Sequence, residues 1–296
     1  MDAANNKWGS AMRPMTFFRL LLICAAACIS TVVYGANFAL VRALGNDADF
    51  ISIQGEIKPG DYEKFQRFLI QPNNVWAFAN RVFLTSDGGN IVEALKFANL
   101  FENAFIHVRV SDHCYSSCFI MYAAAVNRGL ISMGEIGVHK IELRKFKSDI
   151  EDAENLISKQ ANSVNGYLAH LGIPSEIIGK MNETPSPGMY KMDHWILNGL
   201  NLISALDYQP IYLDAVEKEC GKNPDPYPGE LTIDKPRDPQ TMVAIRVWAS
   251  CENESRLKNF SKFMAGEYAL LSKNEPSILF PPGSLAEVNR DVFGGK

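Results

Sequence analysis

The apolar and polar positions between Val82 and His139 change period repeatedly, and each change predicts a new element. Alternation every second residue predicts half-buried strands, and apolar residues three or four positions apart predict helices. The predicted order is strand Val82–Thr85, helix Asn90–Phe101, strand Ile106–Val110, helix Phe119–Val126 and strand Ile136–His139. Strands that alternate with helices in this way favour an α/β fold whose sheet is mostly parallel.

The chain on either side of this stretch carries the same two patterns. Phe50–Ile57 alternates as a strand and ends in a Lys-Pro-Gly turn, after which Asp61 is a suitable N-cap for a helix through Ile70. The longest helical pattern runs over Arg144–Leu171, where an apolar stripe advances in steps of three and four residues. Such a helix either packs on its own domain or projects toward a neighbouring subunit.

The last third of the chain differs in composition and carries shorter patterns. We predict short helices over 175–178 and 193–200 and a turn-rich segment over 207–228. Two strands over 230–233 and 242–248 and a final helix over 255–271 follow. The predicted organisation is a leader over 1–35, a linker or first helix over 36–49, an α/β domain over 50–205 and an α+β extension of unknown role over 206–296.

The N-terminus has the pattern of an export signal. Basic residues precede or begin an uncharged apolar run, Leu20–Tyr34, and Val33 and Gly35 fit the −3 and −1 positions of a cleavage site before Ala36. The run is short for a bilayer span of about 20 residues, which favours a cleaved signal peptide. An uncleaved membrane anchor is the main alternative, and a lipoprotein attached at Cys28 is a weaker one.

Composition and charge narrow the class of protein. The chain is 47% hydrophobic and 21% charged, which is typical of a globular protein with a sizeable core. A formal net charge of −4 argues against binding to nucleic acid or to an anionic membrane surface. We therefore expect a periplasmic or extracellular protein, held at the inner membrane only if residues 17–34 remain as an anchor.

Export changes how the cysteines are interpreted, because an oxidising compartment permits disulfides. Two of the six cysteines lie in the leader, and the remaining four allow three pairings. The preferred pairing joins Cys114 to Cys118 and Cys220 to Cys251. A metal or redox role for Cys-x-x-x-Cys is the alternative, but zinc needs further ligands and only His113 is close in sequence.

The centre of the chain carries the parts of a serine nucleophile site. Ser116 opens a helix after a predicted strand, and His139 ends the next predicted strand. A serine hydroxyl needs a base within hydrogen-bond reach, and a βαβ-like step can bring these two residues to the same edge of the sheet. Ser117 is the alternative nucleophile, and Lys140 permits a Ser–Lys variant.

An oxyanion also needs donors, which the backbone can supply. The N–H groups of the Gly88-Gly89 turn and of Ser117 are candidates, and glycine lets the backbone approach a substrate closely. Each residue also has a plainer interpretation: Ser116 as a helix cap, the glycine pair as a turn, and His139 as a hydrogen-bonded histidine near the core.

The runs Leu84–Asn90, Cys114–Cys118 and Gly137–His139 together resemble the Clp protease proteolytic-subunit family, and most of all its exported, ClpP-like predicted periplasmic members. The resemblance covers roughly residues 50–202 and implies the ClpP/crotonase-like fold of stacked βαβ units. It also implies that the helix over 144–171 mediates subunit contacts in a homo-oligomer.

Carried over position by position, the resemblance implies that Ser116 is the nucleophile and His139 the general base. Gly89 and Ser117 match the oxyanion donors. Two positions depart from the family pattern. Cys118 stands where the family has a glycine. The family's triad acid falls in the loop that here contains Ser186-Pro187-Gly188, before a short helix predicted over 189–200.

The missing acid leaves three arrangements open: a Ser–His dyad, a displaced acid, or a weakly active site. Asp193 is the candidate third member, and Glu183 is also near in sequence. Loss of the acid costs about 10⁴ in turnover where the acid sets the histidine tautomer.

These observations predict an exported, ATP-independent, ClpP-like serine endopeptidase that acts on peptide or protein substrates without a metal or organic cofactor. The first alternative is a weakly active or inactive protein of the same fold that binds peptides or partners in the cell envelope. Acyl-thioester chemistry of the crotonase type is a third, and export away from coenzyme A disfavours it.

Overall fold

The computed structural model describes residues 35–43, 48–131, 134–142, 150–193, 196–197, 210–225 and 237–274. The predicted leader over 1–34, the predicted strand over 230–233 and the tail from residue 281 lie outside these ranges. All described residues belong to one structural unit, which begins at Gly35.

Strands of the described chain form one mixed seven-stranded sheet. They are β1 (Asn37–Val41), β2 (Phe50–Gln54), β3 (Val82–Ser86), β4 (His107–Tyr115), β5 (Asn127–Leu130), β6 (Glu135–Val138) and β7 (Tyr190–Met192). Their order is β1-β2-β3-β4-β6-β7, and β5 pairs with β4. Strands β2, β3, β4 and β6 are parallel neighbours, whereas β1 and β7 run antiparallel at the two edges.

Helices connect these strands and follow them. They are α1 (Asp61–Leu69), α2 (Pro72–Asn80), α3 (Ile91–Asn103), α4 (Ser117–Ala123), α5 (Ile150–His170), α6 (Ser175–Glu183), α7 (Pro210–Cys220) and α8 (Pro239–Asn274). Helices α1 to α4 are the crossovers between successive parallel strands. The fold class is therefore α/β, as the alternation of patterns predicts.

On the side opposite β3, strand β4 pairs with two strands in succession. Residues His107–Val110 pair with β5, and residues His113–Tyr115 pair with β6. The last residue of β4 lies opposite Gly137, and the N–H of Ser116 donates to the Gly137 carbonyl at 2.9 Å. The C-terminal ends of β4 and β6 consequently lie side by side at one edge of the sheet.

Local sequence explains the elements that lead to this edge. In β3, Val82, Leu84 and Ser86 are buried and the residues between them are half-buried, as strand alternation requires. Helix α3 begins after Asn90, whose side-chain oxygen accepts the N–H of Glu93 at 2.9 Å and so caps the helix.

The core is rich in phenylalanine. Phe65 in α1 lies 5.4 Å from Phe78 and 5.2 Å from Phe97, ring centre to ring centre, and all three rings are fully buried. Helix α8 completes this core, because Phe260 is also fully buried and its ring lies 6.0 Å from that of Phe78. The C-terminal helix thus shares one hydrophobic core with the sheet.

A second, smaller apolar cluster joins α7 and α8 to the end of the α4 segment. Val216, Tyr212 and Trp248 are buried there against Val126. In the described part of the predicted α+β extension, helices α7 and α8 are present and no strand is found.

Several sequence predictions for the outer elements are wrong. Residues 37–41 form strand β1 and neither a linker nor a helix, because they pair antiparallel with β2. Residues 242–248 lie within helix α8 and not in a strand: Asp238 accepts the N–H groups of Gln240 and Thr241 and caps that helix. The turn-rich segment predicted over 207–228 contains helix α7.

Short strands of the sheet also differ from the prediction. The helix predicted over 119–126 covers 117–123, and it is followed by the unpredicted strand β5. Residues 190–192 form β7, in place of the start of a helix predicted over 189–200, because they pair with β6. The structure describes only residues 196–197 of the later part of that helix.

The four cysteines after the leader form two disulfides, Cys114–Cys118 and Cys220–Cys251, which is the pairing preferred from the sequence. Among the described helices, none combines the length and the hydrophobicity that a bilayer-spanning segment needs.

Candidate functional site

Ser116 and His139 each follow directly after one of two neighbouring parallel strands. Ser116 comes after β4, His139 comes after β6, and both line the same pocket. Both residues are half-buried. The tertiary structure therefore brings the two side chains singled out by the sequence to one cleft.

The backbone of Ser116 has an uncommon conformation. Its φ is 55° and its ψ is −125°, in a sharp turn between strand β4 and helix α4. A non-glycine residue with positive φ is uncommon and costs on the order of 1–3 kcal/mol, and such residues cluster at functional sites. The Ser116 side chain makes no capping hydrogen bond to α4, so the plainer role as a helix cap does not account for it.

The diglycine turn passes directly beside this serine. Gly88 has φ 88°, and a Cβ atom placed on it would lie 2.6 Å from the Tyr115 carbonyl oxygen and 2.8 Å from the Ser116 Cβ. Only glycine fits at this position, for both conformational and steric reasons.

Hydrogen bonds hold the turn on its other side. Ile57 donates its N–H to the Gly88 carbonyl at 2.8 Å and accepts the N–H of Asn90 at 2.8 Å. The buried Ser86 hydroxyl donates to the Gly55 carbonyl at 2.6 Å and accepts the Gly88 N–H at 3.0 Å. This support of the turn by Ser86 is not predictable from the sequence pattern, because it depends on a contact with the distant Gly55.

This bonding pattern directs the amide of Gly89. In a parallel bridge one residue bonds to the two neighbours of its partner, and Ile57 does so with Gly88 and Asn90. The N–H of Gly89 itself therefore points away from Ile57, toward the side on which β4 and Ser116 lie. The amide of Ser117 lies on that same side, 2.9 Å from where a Gly88 Cβ would be.

A backbone carbonyl orients the His139 ring. Nδ1 lies 2.8 Å from the carbonyl oxygen of Lys140, and because a carbonyl can only accept, Nδ1 carries the proton. The neutral ring then has its lone pair on Nε2. The N–H of Lys140 donates to the Thr184 carbonyl at 2.7 Å, which anchors this segment to the end of α6.

The candidate third member, Asp193, does not lie beside His139. Strand β7 is antiparallel to β6, so Tyr190 faces Val138 next to the histidine, whereas Met192 faces Ile136 farther along the strand. Asp193 follows Met192 and lies toward the opposite end of β6, where its carboxylate accepts the N–H of Ile196 at 3.0 Å. The register thus corrects the suggestion that Asp193 completes a triad.

The pocket around Ser116 and His139 has a volume of about 600 Å³, within the range of small-molecule and peptide sites. Much of its lining is apolar and comes from six elements or loops: Ile57, Ile91, Ile120, Ile141, Val164 and Met181. Helix α5 supplies one wall, because Val164 is buried there and Gln160 also lines the cleft.

Charged side chains also line the pocket, and described partners lie close to some of them. Lys58 Nζ lies 3.5 Å from a carboxylate oxygen of Glu56, and Asp87 lies 3.2 Å from His113 Nε2. Glu142 also lines the pocket and is exposed. The pocket lining therefore combines apolar side chains with charged ones.

Two polar atoms in the pocket lining have no hydrogen-bond partner among the described residues. They are Ser117 Oγ and Gln160 Oε1, and both are excluded from solvent. Ser117 is 3% exposed, so its hydroxyl is less accessible than that of half-buried Ser116. Of the two serines, Ser116 is the better placed to attack a substrate.

The disulfide Cys114–Cys118 spans the turn that carries Ser116. Cys114 lies at the end of β4 and Cys118 in the first turn of α4, and both are fully buried. The cross-link therefore fixes the strand and the helix on either side of the serine. Cys118 thus links the first turn of α4 covalently to the end of β4.

Among the described residues, no group of three or more His, Cys, Asp or Glu side chains is arranged to hold a metal ion. The Lys140 side chain is exposed and is not part of the described pocket lining, so this residue contributes to the site through its backbone.

Comparisons with known proteins give a distant structural likeness. No protein-family model matches the chain, and no curated protein matches it. Among solved structures, a mutant of ClpP1 from Listeria monocytogenes is similar, with 19% sequence identity and a TM-score of 0.40, over 51% of this chain and 86% of that chain. The likeness is too distant to transfer residues or activity.

Proposed function

We propose that this protein is an exported, ATP-independent serine endopeptidase that uses a Ser–His dyad. The observation that carries the proposal is that Ser116, at positive φ, and His139 follow adjacent parallel strands and line one pocket with the diglycine turn.

The proposed reaction begins when Ser116 Oγ attacks the carbonyl carbon of a peptide bond. His139 Nε2 takes the hydroxyl proton and gives it to the leaving amine, and water then hydrolyses the acyl-enzyme by the same route. The Lys140 carbonyl holds the Nδ1–H tautomer, a task that an acid performs in a triad.

The N–H groups of Gly89 and Ser117 stabilise the oxyanion in this scheme. Each preorganised donor of this kind contributes about 2.7–4 kcal/mol where one has been deleted. The direction of the Gly89 amide, set by the bridge between Ile57 and Gly89, supports this assignment.

The pocket lining supports a peptide as the substrate class. Buried Gln160 Oε1 can accept a peptide N–H, and the apolar residues from α4, α5 and α6 can take an apolar side chain. The two disulfides agree with an oxidising, exported location. Association of identical subunits through the helix over 144–171 remains a prediction from the resemblance.

An active-site fluorophosphonate probe tests the proposal, because it reacts with activated serines. We expect the processed wild-type protein to be labelled and the Ser116→Ala variant to remain unlabelled. The His139→Gln variant should react about 10²-fold to 10⁴-fold more slowly, since it lacks the base.

The matched control is Ser117→Ala, which changes the adjacent hydroxyl and leaves both backbone amides in place. It should retain labelling. Labelling that persists in Ser116→Ala but disappears in Ser117→Ala would show that Ser117 is the nucleophile. An unlabelled wild type would refute the proposed serine peptidase activity.

A non-catalytic protein that binds peptides or partners in the cell envelope is the second candidate. It is favoured by one observation: the His139 ring is oriented by a backbone carbonyl in place of a carboxylate. An unlabelled wild type that still binds unstructured peptides in the pocket would support this candidate.

A further inference from the structure

Asp61 carries a buried carboxylate at the first position of α1. The residue is 4% exposed, and its Oδ2 accepts the N–H of Ala36 at 2.8 Å and the N–H of Lys58 at 2.8 Å. Within the described ranges, no Lys, Arg or His side chain forms an ion pair with it. An ionised carboxylate is costly to bury unless hydrogen bonds or a cation compensate it.

Residue 35 runs directly over this carboxylate. A Cβ atom on Gly35 would collide with Asp61 Oδ1 and would lie 2.6 Å from Oδ2. Any side chain at residue 35 would therefore force the Asp61 carboxylate to move, and the departure of residue 35 would uncover Oδ1. Ala36, the next residue, is fully buried in the core, and its carbonyl accepts from Lys64 Nζ at 2.7 Å.

The bond between Gly35 and Ala36 is also the cleavage point that the sequence predicts for the leader. Hydrolysis breaks the C–N bond: the water oxygen joins the Gly35 carbonyl carbon, and the Ala36 nitrogen takes up protons to become an α-ammonium group at neutral pH. Ala36 is buried in the folded state, so the proposal requires that cleavage takes place while the exported chain is still unfolded.

We propose that leader cleavage after Gly35 leaves the α-ammonium group of Ala36 as the buried counter-ion of Asp61. A neutral amide donor at 2.8 Å becomes a cation with three N–H donors, and Oδ1, uncovered by the loss of Gly35, becomes a second acceptor. Charge-assisted hydrogen bonds are roughly twice as strong as neutral ones. The ammonium of Lys64 stays on the carbonyl side of Ala36 and holds that residue in place.

The ion pair would also stabilise one wall of the candidate site. Asp61 Oδ2 holds the N–H of Lys58, and the N–H of Asp61 donates to the Lys58 carbonyl at 3.1 Å. Lys58 follows Ile57, which supports the diglycine turn, and both residues line the pocket. The proposal rests on the predicted leader and is independent of whether the site is a peptidase.

The first test uses the full chain, expressed with its own leader in an exporting bacterial cell. N-terminal sequencing and intact mass should show a product that begins Ala36-Asn37-Phe38. A product that begins at any other residue, or that keeps its leader, overturns the proposal.

The second test compares Asp61→Asn, which keeps an oxygen acceptor but removes the charge, in cleaved and uncleaved proteins. Val33→Lys blocks cleavage at the −3 position and supplies the uncleaved background, and all four proteins are unfolded thermally in one mild detergent. In the cleaved protein Asp61→Asn should lower the Tm by roughly 5–10 °C. In the uncleaved background the loss should be much smaller, and equal losses overturn the proposal.

A third measurement needs no variant at Asp61. The Ala36 amine of the cleaved wild-type protein should react at least about tenfold more slowly with an acylating reagent in the native state than in urea, because pairing keeps it protonated and buried. Equal rates overturn the proposal, even if Asp61→Asn does not fold.

Discussion

The uncommon backbone conformation of Ser116 depends on the absence of a side chain at Gly88. Its positive φ turns the chain sharply after β4, and Gly88 lies where any side chain would press against that turn. The uncommon conformation is thus supported from outside the serine. Gly88 and Gly60 have nearly the same φ, 88° and 89°, but only Gly88 lies against the serine turn. Comparing substitutions at the two glycines therefore distinguishes the cost of the backbone conformation from the cost of the contact.

Gly88→Ala should lower both stability and reaction with the fluorophosphonate probe. The left-handed φ costs an alanine about 1–2 kcal/mol, and the contacts with Tyr115 and Ser116 add to it. Gly60→Ala is the matched control: a Cβ there meets nothing within 4 Å, so this variant has only the cost of the left-handed backbone conformation. Chemical denaturation and labelling rates measure both effects. Equal behaviour of the two variants would contradict the proposed support of Ser116.

The buried ring of His107 should make the free energy of unfolding depend on pH. Burial holds the pKa of its ring well below the ordinary value, and the positive charges of Arg256, Arg109 and Arg81 lower the pKa further. The residue as a whole is half-buried, but Nε2 is excluded from solvent and has no hydrogen-bond partner among the described residues.

The unfolded chain binds a proton at His107 near pH 6.5, whereas the folded protein does not. The free energy of unfolding should therefore fall as the pH drops below about 6.5, by up to about 1.4 kcal/mol per pH unit from this residue. His107→Phe removes the titrating group and should flatten the profile measured by urea denaturation between pH 7 and pH 5. Identical slopes for the two proteins would refute this assignment.

At the scale of elements, β4 and its two successive partners set the site. The first half of β4 pairs with β5 and the second half with β6, so the chain from α4 returns to the same strand and ends beside Ser116. The Cys114–Cys118 disulfide then fixes the junction of β4 and α4. The other disulfide, Cys220–Cys251, ties α7 to α8 away from this junction.

Removing the Cys220–Cys251 disulfide should have the larger effect on stability, and removing the Cys114–Cys118 disulfide the larger effect on the reactivity of Ser116. Replacing Cys220 and Cys251 by alanine opens the longer loop and should cost about 3–4 kcal/mol, whereas replacing Cys114 and Cys118 should cost about 2 kcal/mol. Only the replacement of Cys114 and Cys118 should slow labelling of Ser116, because their disulfide holds the turn that carries the serine. Each double variant is the control for the other, measured by denaturation and by labelling rate. Equal labelling rates would contradict a role of the disulfide in the site.

At the scale of the whole molecule, α8 belongs to the same core as the sheet. Phe260 packs against the ring of Phe78, and Arg256 Nη1 donates to the Ala79 carbonyl at 2.6 Å at the end of α2. The described C-terminal helix therefore stabilises the fold that holds the site, although it contributes none of the site's chemistry.

Phe260→Ala should destabilise the whole protein, by about 3–5 kcal/mol, because it leaves a cavity between α8 and the sheet layer. Unfolding should remain a single transition by both circular dichroism and tryptophan fluorescence. Val247→Ala on the same helix is the control: Val247 is 66% exposed, and the change should stay within about 0.5 kcal/mol. Two separate transitions would show instead that the extension folds on its own.

The elements predicted well are those whose signal is local. Alternation gives β3 and the start of β4, and helical spacing gives α3, because one face of each is buried in the core. The cap at Asp238 and the spacing of Tyr212 and Val216 were local signals too, and they would have identified α8 and α7. The apolar, β-branched run over 242–248 masked the first of them.

The sequence by itself determined the α/β class, the order of the central strands along the chain, and the serine, histidine and glycine residues now found around one pocket. Only the tertiary structure decided that residues 37–41 and 190–192 are strands, since each is formed by pairing with a distant strand. It also decided that the His139 ring is held by the Lys140 carbonyl and that Asp193 lies elsewhere. The physical reason is that periodicity reports which face of an element is buried, whereas strand register and hydrogen-bond partners depend on residues far apart in the chain.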